Sequence, residues 1–263
     1  MKKNLFIGII ISSVLFLIAI IGLFYTPYDP NAMDTTMKFA GVSLKHIMGC
    51  DNFGRDIFSR VMRGLGTTIT VAIGTNIIGL SIGIIVGSLT GYFGGLMDEI
   101  LMRFNDAVLA FPSILLALVF VSCFGTGKYK VMVALGIVFV PSYARIVRSE
   151  FLRCRNMDYV KAARLMNASD IRIMFVHILP NAVPVIASSL VIGFNNAVLA
   201  EAGLSFLGIG VQPPDSSLGR MLSEAQSFIL MKPSYAIFTG SVIIILIVGF
   251  ALLSDGIKEV INA

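Results

Sequence analysis

Apolar residues along this chain fall in long runs, not in the short alternating or amphipathic patterns of a water-soluble domain. A helix needs about 20 residues to cross a hydrocarbon core. The runs predict spans at about Asn4–Tyr25, Thr67–Tyr92, Glu99–Phe124, Tyr129–Val147, Ala182–Ala200 and Tyr235–Leu253. Thr26-Pro27-Tyr28-Asp29-Pro30 ends the first run as a turn. That run has a basic start, Met1-Lys2-Lys3, but it is longer than the roughly 7–15 apolar residues of a secretory signal, and no A-x-A site follows. It is expected to be a retained first span.

Polar segments between the runs give an orientation. Arg145, Arg148, Arg153, Arg155, Lys161, Arg164 and Arg172 cluster between the fourth and fifth spans. An even number of spans separates them from Lys2 and Lys3, so both groups share a side, and basic loops favour the cytoplasm. The expected topology is N-in and C-in. Lys38, Lys45, Arg55, Arg60 and Arg63 then lie outside, in a segment that Asp29, Asp34, Asp51 and Asp56 bring close to neutrality.

Composition agrees. The chain has 263 residues, 56% of them hydrophobic and only 13% charged, where a soluble domain carries about 25% charged residues. Its mean hydropathy is +0.89. A net charge of +5 without basic runs interleaved with aromatics points to span-flanking cations, not nucleic-acid binding. Cys50, Cys123 and Cys154 lack metal-ligand spacing, and His46 and His177 are too few for a cage. No HExxH occurs. In FGTGKYK, Ser122 stands where a phosphate loop needs its first Gly, and Tyr129 follows Lys128 where Ser or Thr is needed.

Within the spans, Gly79, Gly83, Gly87 and Gly91 form one helical stripe suited to close backbone packing, either within the chain or along a conduit. Span three opens with Asp98 and Glu99 and carries Arg103 and Asp106. Glu99–Arg103 and Arg103–Asp106 have pairing spacings, and a local ion pair or a substrate path would each account for them. Asn195, Asn196 and Asn76 are the main polar residues deeper in. The lack of midplane carboxylates argues against a stand-alone secondary carrier or channel.

The segment Asp158–Asn181 is polar and helix-friendly. Asp158–Met166 predicts a short helix, and Asn167 offers a left-handed turn. Ser169 caps a second helix from Asp170 to about Val176, which Ile178-Leu179-Pro180 is expected to stop. The result is either a compact knob for a soluble partner or an amphipathic helix lying on lipid.

KAARLMNASDIRIMFVHILPN (Lys161–Asn181) resembles the cytoplasmic "EAA" loop of permease subunits of binding-protein-dependent ABC importers. Ala162 and Ala163 match its alanines and Leu179-Pro180 its terminal pair; Lys161 replaces the usual Glu and Asn167 the usual Gly. GCDNFGRDIFSRVMRG (Gly49–Gly64), Gly91–Gly95 with Asp98, Ala110–Pro112, Pro141–Arg145, Glu201–Gly208, Gly210–Pro214 and Gly219–Leu222 extend the similarity, closest to the second permease of the peptide and nickel branch. The resemblance implies an all-α polytopic membrane protein of type I importer fold in the bacterial cytoplasmic membrane. Residues 67–255 would form the core five-helix unit, 26–66 an extracytoplasmic segment and 149–181 the coupling loop. It implies a transport subunit, not an enzyme, working with a second homologous permease, two cytoplasmic ATPase subunits that bind ATP and magnesium, an extracytoplasmic solute-binding protein and membrane lipid. Lys161, Ala162, Ala163, Asn167, Ala168, Ser169, Asp170, Arg172, Leu179 and Pro180 would couple to the ATPase. The cargo would be di- or oligopeptide, or alternatively nickel or a metal chelate.

Overall fold

The computed structural model describes Lys2–Ile261 and is helical through its apolar runs. The helices are α1 Lys2–Phe24, α2 Ile57–Phe93, α3 Gly95–Leu109, α4 Ser113–Phe124, α5 Lys128–Cys154, α6 Asp158–Leu165, α7 Asp170–Arg172, α8 Leu179–Phe206, α9 Leu218–Gln226 and α10 Pro233–Ile261.

Three spans differ from the sequence expectation. The second begins at Ile57, well before Thr67, and runs 37 residues, about 55 Å of helix. Its early charges are neutralised inside the protein and so do not force a loop. Arg60 is buried among carboxylates, and Arg63 donates to the Leu23 carbonyl at the end of α1, 2.6 Å away. Asp56 caps the helix, its carboxylate accepting from the Ser59 amide at 2.7 Å. The third span is not one helix: α3 and α4 meet at 93°. Pro112 has no amide hydrogen to give and drives the preceding residue out of helical geometry. The fifth span starts earlier, because Pro180 does not stop the chain. A π-helical stretch, Ile173–Ile178, joins α7 to α8, and its widened turn lets the helix continue past Pro180.

Packing fixes the topology. Gly8 and Gly256 bring the start of α1 against the end of α10, at Leu253 and Leu5, so these two helix ends lie at one end of the bundle. The broken span runs the full height beside α5. Asp98 meets Arg148, Asn105 meets Pro141, and Ala117 and Val121 pack with Val138, Leu135 and Val131. Its partners therefore move from the last turns of α5 to its first, and the pair crosses.

Aromatic and branched residues of α1, α2, α8, α9 and α10 form one core, with Phe194 and Phe250 stacked 4.0 Å apart. The tightest seam is α2 on α5. A Cβ on Gly83 would meet the Tyr143 Cβ at 2.5 Å, one on Gly87 the Ala144 carbonyl at 2.5 Å, and one on Gly91 the Phe151 Cβ at 2.6 Å. Gly79 sits on Phe139 and Gly136. The glycine stripe is thus an internal packing surface, not a conduit wall.

Gly87→Ala is expected to destabilise the purified chain by about 1–3 kcal/mol through backbone overpacking. Gly240→Ala, with open space at its Cβ position, should be neutral or slightly stabilising. Thermal unfolding in detergent compares the two.

Candidate functional site

At the inner end, Asp158–Asn181 folds into one short helix, α6, a turn, and the first residues of a helix that continues through the π-helical stretch into α8. Asp158 lies in the first turn of α6, and Met157 is its cap residue. Asn167 adopts φ +58°, the left-handed geometry that its short amide side chain tolerates. The Ala168 amide closes the turn on the Ala163 carbonyl at 3.1 Å. The Ser169 hydroxyl then accepts from the Arg172 amide, capping the next helix. Lys161 is paired within the chain, to Asp158 at 2.9 Å, with both groups exposed.

This knob has a dry base and an apolar tip. Val160, Ala163, Ile173, Met174 and Ile178 are buried against Val147, Phe151 and Cys154 of α5 and Ala182 and Ile186 of α8. The Tyr92 hydroxyl, at the end of α2, donates to Asp170 at 2.5 Å. Leu165, Met166 and Ile171 are 89%, 83% and 72% exposed. Large exposed apolar side chains at one bend form a tip that a soluble partner or the lipid surface would cover. Ala162, Asn167, Ser169 and Arg172 line a cleft of about 460 Å³ beside that tip. Leu179 and Pro180 lie behind it, at the start of α8.

The charges of the third span pair differently from their sequence spacing. Arg103 bonds Glu99 at 2.8 Å, but Asp106 bonds Arg145 of α5 at 2.6 Å, not Arg103. Asp98 takes Arg148 through both oxygens, at 2.5 and 2.6 Å. The local i,i+3 contact gives way to α5, whose arginines lie alongside.

A second feature is a cavity of about 460 Å³ between the α3–α4 bend, α5 and α8. Asn196, Ser142, Ser189 and the Tyr143 ring line it among aliphatic side chains, with no charged residue in its wall. Asn195 does not join it: its amide donates to the Ile247 carbonyl of α10 at 3.3 Å. Asn76 lies behind the cavity and accepts from the Tyr143 hydroxyl.

At the outer end the structure brings together charges that lie far apart in sequence. Asp51 accepts from Arg55 at 2.7 Å and from Arg60 at 2.6 Å. Glu224 of α9 accepts from the same two arginines at 3.0 and 2.9 Å and pairs with Arg220 at 3.4 Å. Burial raises the Glu224 carboxyl, but the Arg60, Arg55 and Arg220 guanidiniums outweigh it and hold the group below its ordinary 4.5. Glu201, fully buried in α8, accepts from Thr68 of α2 at 2.9 Å and Ser205 at 2.6 Å. Lys232 donates to the Phe39 and Ala40 carbonyls at 3.1 and 3.0 Å. Segment 26–56 is thereby strapped over the bundle. Aspartates and arginines of GCDNFGRDIFSR read in sequence as a neutral loop; only Ile57 following Asp56, a cap before an apolar run, signalled that the helix begins there.

An all-helical bundle crossing the membrane, with a rigid, apolar-tipped knob at its inner end, defines the class: the membrane subunit of a transporter driven by a separate soluble partner. The profile of the binding-protein-dependent transport system inner membrane component family matches residues 79–263. The glutathione transport system permease protein GsiD of Pectobacterium atrosepticum is 39% identical over 237 residues, 90% of this chain and 79% of that protein. The dipeptide transport system permease protein DppC of Haemophilus influenzae is 35% identical over 269 residues, 99% of this chain and 90% of that one. Among solved structures, an inward-facing MetNI methionine ABC transporter chain superposes with a TM-score of 0.64 at 18% identity, over 77% of this chain and 95% of that chain, a likeness of fold. The chain belongs to the binding-protein-dependent transport system inner membrane component family. It is an inner-membrane permease subunit of an ABC importer, with ATP hydrolysis in a separate subunit and a substrate-binding protein as a further partner.

Arg60→Met is expected to cost about 3 kcal/mol, because it leaves buried carboxylates short of a partner. The Glu224 ion pairs should be fully present above 4.5 and be lost as pH falls through the lower folded value. Thermal unfolding against pH should therefore show an acid-side loss that Glu224→Gln reduces.

Proposed function

We propose that this permease carries di- or oligopeptides inward as one of two homologous membrane subunits, each facing one of two ATPase subunits. The substrate class rests on one observation: relatives matching nearly the whole chain are named as dipeptide and peptide transport permeases. The exposed apolar tip of the knob supports the coupling role.

In this reading the chain has no cofactor of its own, and the partner ATPases bind ATP and magnesium. Their closure pushes on the knob. Lys161, Ala162, Asn167, Ala168, Ser169, Asp170 and Arg172 meet the ATPase directly or shape the turn that does. Ala163, Leu179 and Pro180 seat the knob on α5 and α8. The cavity lined by Asn196, Ser142 and Ser189 forms this subunit's share of the pathway wall. A wall of amide and hydroxyl groups among aliphatics contacts a peptide backbone without selecting side-chain charge, which suits a carrier whose binding protein does the selecting.

The test is reconstitution with the neighbouring permease, ATPases and binding protein, followed by ATP hydrolysis against a peptide panel and nickel complexes. Peptides should stimulate hydrolysis; stimulation by nickel complexes alone would overturn the substrate class. Ala162→Asp or Asn167→Pro should cut uptake by roughly tenfold or more, the scale of one lost interface contact, with the amount of permease in the membrane unchanged. Asn167→Gly, which keeps the left-handed turn, should transport normally. Full uptake by the Asp and Pro variants would sink the coupling role.

A further inference from the structure

Most cationic side chains on the inner surface already hold a carboxylate. Arg103 has Glu99 at 2.8 Å, Arg145 has Asp106 at 2.6 Å, Arg148 has Asp98 at 2.5 Å, Arg153 has Glu150 at 2.5 Å and Lys161 has Asp158 at 2.9 Å. Among the described residues of this end, Lys3 and Arg172 have none within 4.0 Å, and neither have Arg155 and Arg164. Both line one polar cavity of about 560 Å³ with Tyr92, Phe93, Asn156 and Asp170, where α2 ends, α5 ends and α6 rises.

Their groups are positioned, not loose. Arg155 Nη1 lies 3.4 Å from the Gly91 carbonyl, and the Arg164 guanidinium sits over the Tyr92 ring, 5.4 Å from its centroid. Asp170, the carboxylate in this wall, already accepts from the Tyr92 hydroxyl at 2.5 Å. The cavity therefore presents two guanidiniums and the Asn156 amide, and it carries net positive charge. Guanidinium forks match phosphate oxygens.

The rim identifies the source of that phosphate. Phe93 is 51% exposed at the cavity mouth, and Leu96, Ile100 and Phe104 continue outward along α3 at four-residue spacing, 76%, 65% and 72% exposed. Asp98 at the start of α3 meets Arg148 and Asn105 meets Pro141, so this stripe descends from the inner end toward the middle of the bundle and offers acyl chains a surface beside the cavity. We propose that the cavity holds the headgroup phosphate of an anionic phospholipid of the inner leaflet, bound by Arg155 and Arg164. A zwitterionic headgroup would carry its own cation toward the same two guanidiniums and bind less well.

The chain has no tryptophan, so Phe93→Trp gives the full chain a single reporter at the rim. In phosphatidylcholine vesicles, quenching by brominated phosphatidylglycerol is compared with quenching by brominated phosphatidylcholine. Two arginines near an anionic headgroup predict a preference of about tenfold or more for phosphatidylglycerol. Arg155→Gln with Arg164→Gln should abolish it, and Arg145→Gln should retain it. Equal quenching by the two lipids overturns the proposal without recourse to the double variant. So does displacement by inorganic phosphate, which would make the ligand free phosphate. If the double variant keeps the lipid preference but releases the ATPase from the assembled transporter, the arginines serve the ATPase and the lipid site is wrong.

Discussion

The architecture depends on the approach of α2 to α5 at backbone distance. Inside a bilayer, water exclusion does not press helices together, so van der Waals contact between smooth surfaces must do it. Gly79, Gly83, Gly87 and Gly91 give α2 such a surface, and Phe139, Tyr143, Ala144, Val147 and Phe151 of α5 fill it. Every other feature hangs from this seam. Its inner end carries the knob, through Tyr92 on one helix and Phe151 and Cys154 on the other. Its outer end carries the strapped cap, through Asp56 and Arg60.

Charge is sorted to the two ends. At the outer end, the group of Asp51, Arg55, Arg60 and Glu224 is largely buried and links segments far apart in the chain. Removing one member strands its partners, so they specify geometry more than they add stability. At the inner end, most pairs are exposed and contribute little; what matters there is shape. The knob packs apolar residues downward onto α5 and α8 and presents Leu165, Met166 and Ile171 outward. Because its base is a close-packed core, a push on the tip reaches the helices with little internal give.

Much of this was legible in the sequence. Long apolar runs marked the membrane spans because a bilayer demands continuous apolar length. The turn at Asn167 and the cap at Ser169 were legible because both are local backbone chemistry. What escaped depended on distant partners. The ten residues from Ile57 to Gly66 read as a charged loop because their neutralising groups, Glu224 and the end of α1, lie elsewhere in the chain. Asp106 was assigned to Arg103 by spacing, yet the α5 arginines outcompete it. Pro180 reads as a stop in any local treatment, but a π-helical stretch lets the helix through. Asn195 and Asn196, adjacent in sequence, face different surroundings, α10 and the cavity, and only packing separates them.

The shared packing of the knob, α2 and α5 should make them move as one body. The direct measurement is the distance between spin labels at Leu165→Cys, on the knob, and Ile77→Cys, on the exposed face of α2. It would be made in the assembled transporter with Cys123→Ser removing the exposed native thiol. The distance should be the same without nucleotide and with ATP bound. A distance that changes with ATP would show the knob flexing against the seam, and would contradict motion as one body.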